Sequence, residues 1–161
     1  MSLVKADLLD EAAIDKAIEG STYVAHVASP FVINEPKDEQ ELIRPAVEGT
    51  LVVMRACRKH KVKRVVLTSS LVSIMYVHED KEPDDGVYDE THWSDPSRKG
   101  GLNAYEKSKV MAERAAWDFL ESLPKEERFE LSTVNPGLVV GPSFIGGDFS
   151  SGKIVSDLMM N

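Results

Sequence analysis

The stretch NAYEKSKVMAERAAWDFL, Asn103 to Leu120, holds a tyrosine and a lysine four residues apart, Tyr105 and Lys109. On a helix that spacing puts both side chains on one face. A free phenol has a pKa of about 10 and exchanges its proton poorly at neutral pH. An ammonium beside it favours the phenolate. Lowering the pKa by about three takes roughly 4 kcal/mol, within reach of a charge a few ångströms away in a partly dry cleft. A serine hydroxyl close by can then hold a carbonyl oxygen while the tyrosine delivers a proton. The same spacing equally suits two polar groups on the solvated face of a helix, and the pair alone does not decide between them.

The elements around the pair alternate. Leu3–Ala6 reads as a short extended run, and Asp10–Glu19 has apolar residues at helical spacing with Gly20 as a stop signal. Thr22–Ala28 reads as a buried strand. Asp38–Lys61 reads as a long helix, broken or restarted at Pro45. Val62–Ser70 is the clearest strand, β-branched and uncharged after Arg64, and a loop rich in Asp, Glu, Pro and Gly runs from His78 to Gly101. A helix over Asn103–Leu123 follows, then a last strand over Phe129–Val140 that runs into Gly141-Pro142. The pattern predicts an α/β fold in which helical crossovers connect a parallel sheet covered on both faces.

Ligands of such sheets sit beyond the carboxyl ends of the strands. Asp7 follows the first strand, Ala28-Ser29-Pro30 the second and Thr68-Ser69-Ser70 the third, while Asn135-Pro136-Gly137 lies within the fourth. Small residues in a row along one sheet edge let a flat ligand lie against backbone. Each segment taken singly is an ordinary strand-end turn.

Composition removes several classes. The chain has 161 residues, 42% hydrophobic, which suits one compact domain. A net charge of −8 opposes nucleic acid. The one basic run, Arg58–Arg64, reads as cations complementing the carboxyl end of a helix rather than as a nuclear address. The single cysteine, Cys57, excludes an internal disulfide and reads as a buried, inert thiol. His26, His60, His78 and His92 lack metal-ligand spacing, so no metal is expected. No stretch reaches the roughly 20 apolar residues of a membrane span, and Met1–Asp10 carries acids where a signal peptide has a cationic start. A soluble, cytoplasmic protein is expected. Gly147–Lys153 matches the first seven places of a P-loop, but Ile154 stands where Ser or Thr is needed and no strand leads in, so nucleotide hydrolysis is not.

Several ordered motifs carry a resemblance: His26-Val27-Ala28-Ser29-Pro30, Pro45-Ala46-Val47-Glu48-Gly49-Thr50, Arg64–Ser70, Tyr88-Asp89-Glu90 with Trp93-Ser94-Asp95, Tyr105 and Lys109 followed by Ala112-Glu113, and Asn135–Pro142. From about Leu3 onward the chain resembles the extended short-chain dehydrogenase/reductases, within the NAD-dependent epimerase/dehydratase superfamily. The similarity is greatest to the branch of dihydroflavonol, cinnamoyl-CoA and aldehyde or methylglyoxal reductases. The resemblance implies catalytic roles for Ser70, for Tyr105 as general acid, and for Lys109, which tunes the tyrosine and binds the nicotinamide ribose. It implies cofactor contacts at Asp7 and Leu8 near the adenine, at Val27, Ala28 and Ser29 near phosphate and ribose, at Ser69, and at Pro136 with Val139 beside the nicotinamide. The implied reaction is hydride transfer from NADP(H), in preference to NAD(H), to a small or aromatic aldehyde or ketone. A sugar-nucleotide epimerase or a hydroxysteroid dehydrogenase is the alternative within the fold, and a truncated, non-catalytic chain is the alternative outside enzymes. The apolar residues from Ala112 through Trp117 to Leu120 read as core or, from family habit alone, as the face of a homodimer.

The resemblance also has a break. The Gly-rich turn that cradles a pyrophosphate is absent and its place lies before Leu3. The chain reads as one partial Rossmann-type domain over 1–161, a parallel sheet flanked by helices that lacks the first βαβ unit and most of the substrate-binding region, whose start falls at about 142. In the family's strand order 3-2-1-4-5-6, Leu3–Ala6 is strand three and Thr22–Ala28 strand four, which leaves a gap between them or requires a different closure, as with a second chain.

Overall fold

The computed structural model describes residues 2–30, 36–141 and 150–160. Three strands form one sheet in the order β1 (Tyr23–His26), β2 (Arg64–Thr68), β3 (Glu130–Val134). Both pairings are parallel, with Tyr23, Arg64 and Glu130 in register and His26, Leu67 and Thr133 three residues further on. Helix α1 (Glu11–Ile18) precedes the sheet, α2 (Gln40–Lys59) and α3 (Ala104–Ser122) are the crossovers, and α4 (Ser150–Met160) follows. The α/β class and the parallel sheet are as expected from the sequence.

The sheet is covered on one face only among the described residues. Val65 and Leu67 of β2 join a core with Val52, Val53, Met54, Ala56 and Cys57 of α2 and Ala116 of α3, and Ile14 and Ile18 of α1 reach the same cluster. On the opposite face Tyr23 is 67% and Val134 50% exposed, with Ala25 and Ser132 open beside them. This corrects the expectation of two covered faces, for a topological reason. Strands added in one direction by crossovers of one hand put both connecting helices on the same side. Leu3–Ala6 is a further correction: it pairs with no strand, and Leu3 is 94% exposed. The described sheet therefore holds no gap, because the segment expected beyond the gap is not in it.

Element boundaries show what local rules miss. Helix α2 runs unbroken through Pro45, against the expected break. The hydrogen bond that proline forgoes would have ended on the carbonyl of the exposed residue Glu41, and ten buried residues from Leu42 to Cys57 hold the helix down. Its end is a Schellman turn, in which Lys61 takes the left-handed conformation (φ 53°) while Val62 N–H bonds to Cys57 C=O and Lys61 N–H to Arg58 C=O. Four side chains of the basic run there are paired: Arg58 with Glu127, Arg64 with Glu130, and Lys59 and His60 with Asp15. Cys57 is fully buried, and burial pushes its thiol up to about 12. Strand β3 ends at Val134, well before the expected Val140, as Pro136 cannot donate to a ladder. Ser150–Lys153, the end of the P-loop-like stretch, opens α4, while Gly147–Phe149 and the expected boundary near 142 lie outside the described residues. No described helix is long and apolar enough to cross a membrane.

Candidate active site

Helix α3 starts abruptly. Asn103 accepts from the Glu106 N–H at 2.9 Å, and the Glu106 carboxylate accepts from the Asn103 N–H at 2.8 Å, a complete capping box. Tyr105 is thereby held in the first turn. Lys109 follows one turn later, its Nζ 5.6 Å from the Tyr105 ring centroid. Burial holds the Lys109 ammonium below the ordinary lysine range. A cation normally finds an acceptor when it loses water; this one has no ion pair or hydrogen bond among the described residues.

The ammonium borders a cleft of about 10 Å³ at the carboxyl edge of the sheet, where Ala28 and Ser29 come from the end of β1, Thr68 and Ser69 from the end of β2, and His26, Thr50 and Glu113 complete the polar lining. His26 is buried, and desolvation together with the charge of Lys109 pushes its imidazole down to about 4, so it is neutral at pH 7. Ser69 Oγ shares a hydrogen bond with Ser73 Oγ at 2.9 Å. Ser70 caps the short 3₁₀ turn Leu71–Ser73, its Oγ accepting from the Val72 N–H at 3.4 Å, which leaves the hydroxyl proton available to a ligand. That turn packs against α3. Ser94, fully buried, fixes the chain beyond it by donating to Val72 C=O and accepting from the Tyr76 N–H.

Strand β3 reaches the same place. Ser69 N–H bonds to Val134 C=O at 2.8 Å and Leu71 N–H to Pro136 C=O at 2.9 Å, so Pro136 sits beside the serine turn. Asn135 Nδ2 donates to Ser70 C=O at 3.0 Å and to Glu113 Oε2 at 2.9 Å.

The fold thus brings Ala28, Ser29, Ser69 and Lys109 of the expected site to the cleft, with Tyr105 beside Lys109, Ser70 next to Ser69 and Pro136 beside the serine turn. It does not bring the others to the cleft. The exposed Asp7 carboxylate accepts from its own chain at the Leu9 N–H, and Leu8 lies on Gly49 of α2, where a Cβ would come within 3.0 Å of it. Val27 and Val139 are each 65% exposed. His26, Thr50, Glu113 and Asn135 were given no site role from the sequence. For Glu113 a signal existed, since it repeats the four-residue step from Tyr105 through Lys109 on one helix face. His92 shares a 2.8 Å hydrogen bond with the Asp89 carboxylate in its loop.

A far larger concavity, about 1350 Å³, lies at the amino-terminal edge between Tyr23, Lys63 and Phe129. It is walled by the ion pairs Arg58–Glu127 and Arg64–Glu130, and the chemistry-bearing groups stand at the opposite edge, where parallel sheets bind ligands. Among the described residues no three His, Cys, Asp or Glu side chains gather as a metal site.

Comparison with known proteins agrees with this architecture. Residues 1–142 match the model of the 3-beta hydroxysteroid dehydrogenase/isomerase family. The chain is 42% identical over 144 residues to a cinnamoyl-CoA reductase of Medicago truncatula, covering 88% of this chain and 43% of that protein. To a dihydroflavonol 4-reductase of Medicago sativa it is 38% identical over 149 residues, covering 90% and 65%. The structure of Gre2 from Candida albicans in complex with NADPH superimposes with a TM-score of 0.70 at 34% identity, over 86% of this chain and 43% of that one. The chain therefore spans less than half the length of two of these three relatives. By the match over residues 1–142 and by its parallel sheet, the chain belongs to the 3-beta hydroxysteroid dehydrogenase/isomerase family of Rossmann-type, extended short-chain dehydrogenase/reductases.

Proposed function

We propose that this chain carries the proton-transfer and nicotinamide-ribose portion of an NAD(P)H-dependent reductase that converts a small or aromatic aldehyde or ketone to an alcohol. The observation that carries the reading is Lys109. Its half-buried ammonium lies against the Tyr105 ring, beside Ser69 and the small residues Ala28 and Ser29, with no acceptor among the described residues. Such a donor set fits the vicinal hydroxyls of a ribose. NADP(H) is favoured over NAD(H) because the Gre2 structure holds NADPH.

The dinucleotide, when bound, supplies the hydride. In this reading Ser70, whose proton is uncommitted, donates to the carbonyl oxygen and orients it. Tyr105 delivers a proton to that oxygen as negative charge develops. Lys109 lowers the free energy of the resulting phenolate and anchors the ribose. The small side chains at the strand ends let a planar ring lie against backbone.

Titration with NADPH, followed by cofactor fluorescence, tests this on the 161-residue chain and on a chimera extended at both ends with the flanking segments of Candida albicans Gre2. The expected outcome is that the chimera binds NADPH and reduces test aldehydes, and that Tyr105→Phe lowers kcat by roughly 10²–10⁴-fold, the range of a lost general acid. A chimera that melts cooperatively yet neither binds nor reduces overturns the reading in favour of a non-catalytic chain.

A further inference from the structure

A buried acidic side chain borders the cleft of the proposed site with no part in the chemistry described. Glu113 is 4% exposed, in a stretch of α3 whose other buried residues are small or apolar: Ala104, Ser108, Val110, Ala112 and Ala116. A carboxylate taken out of water is strongly disfavoured unless something holds it. Its partner is the amide of Asn135, just past the end of β3.

Asn135 Nδ2 has two protons, and both are engaged. One goes to Glu113 Oε2 at 2.9 Å and the other to Ser70 C=O at 3.0 Å. Two acceptors on one planar amide fix its orientation, so three elements meet at a single group. The neighbours of Ser70 are bonded to the β3 backbone through Ser69 N–H and Leu71 N–H. The carbonyl of Ser70 accepts from the Ser73 N–H at 2.9 Å within its own turn and also from Asn135, which ties it to α3. Glu113 stands two turns from Tyr105 and one from Lys109 on the same helix face, roughly 12 Å and 6 Å along the axis.

We propose that Glu113 and Asn135 are positioning residues: a buried carboxylate–amide clamp that sets the Ser70 turn against α3, and so sets the hydroxyl of Ser70 relative to Tyr105 and Lys109. The proposal rests on the reductase reading of those three residues. Placement errors of about 1 Å at a reacting centre lower rates by about 100-fold, which makes such a clamp kinetically visible.

The test combines kinetics of the chimera with amide and side-chain NMR of the 161-residue chain. In the chimera, Glu113→Ala and Asn135→Leu are expected to lower kcat by about 10–100-fold while KM for NADPH moves less than about threefold. Glu113→Gln, whose side-chain oxygen still accepts from Asn135, restores most of kcat. In the NMR arm the Asn135 side-chain protons exchange slowly, and Glu113→Ala abolishes that protection and shifts the Ser70 signals. A folded Glu113→Ala protein with unchanged kcat overturns the proposal. So does a Gln variant as impaired as the Ala variant, since the clamp needs only an acceptor. If the unsubstituted chimera turns nothing over, the reductase reading fails by itself. The NMR arm then judges the clamp: unmoved Ser70 signals overturn it, and shifted ones sustain the contact.

Discussion

At the scale of single residues, His26 makes the clearest pH prediction. Burial and the charge of Lys109 hold its imidazole at about 4, below the ordinary value of 6.5. The unfolded chain therefore binds a proton that the folded chain refuses between those two values. Stability from the neutral imidazole is full above about pH 6.5 and is lost progressively as pH falls to about 4, by on the order of 3 kcal/mol. Thermal melts from pH 7 to 4 are expected to show a steeper loss for the unsubstituted chain than for His26→Gln; parallel losses would exclude a buried neutral histidine. The carboxyls of Asp15, Glu79, Asp89 and Asp95, held low by hydrogen bonds, contribute to a separate loss at lower pH. The Tyr105–Lys109 pair was legible at this scale because four residues on a helix are neighbours whatever the rest of the chain does. The burial of His26 was not, since it depends on Thr50, Lys109 and the end of β2 closing over it.

At the scale of elements, the site depends on where α3 begins. The Asn103–Glu106 box satisfies the N–H groups of Asn103 and Glu106, which flank Tyr105, so Asn103→Ala is expected to lower stability by about 1 kcal/mol. Urea denaturation checks this as a fall in midpoint with unchanged slope. That helix start could be read from four consecutive residues. Pro45 misled for the same local reason: proline ends helices in general, yet the buried face of α2 outweighs one missing hydrogen bond. Helix α4 escaped notice because Gly152 lies inside it, and Val155, Leu158 and Met159 carry its helical spacing only beyond that point. Leu3–Ala6 has strand-like residues and no strand beside it, and a strand exists only in its pairing.

At the scale of the whole molecule, the sheet has one packed face and one open face among the described residues. In the 161-residue chain Leu67→Ala, on the packed face, is expected to cost about 2–5 kcal/mol, whereas Val134→Ala, on the open face, costs under about 1 kcal/mol. Equal losses in denaturant titrations would mean that both faces are covered in solution. The sequence by itself determined the α/β alternation, the order of its motifs, and the tyrosine and lysine on one helix face, because each is written in residues within a turn or a strand of one another. Only the tertiary structure decided which face of the sheet is packed, that Leu3–Ala6 stands outside it, and that Asn135 bridges Glu113, 22 positions away, and Ser70, 65 positions away. Those outcomes follow from how crossovers of one hand stack the helices and bring distant segments to one edge, which no local pattern encodes.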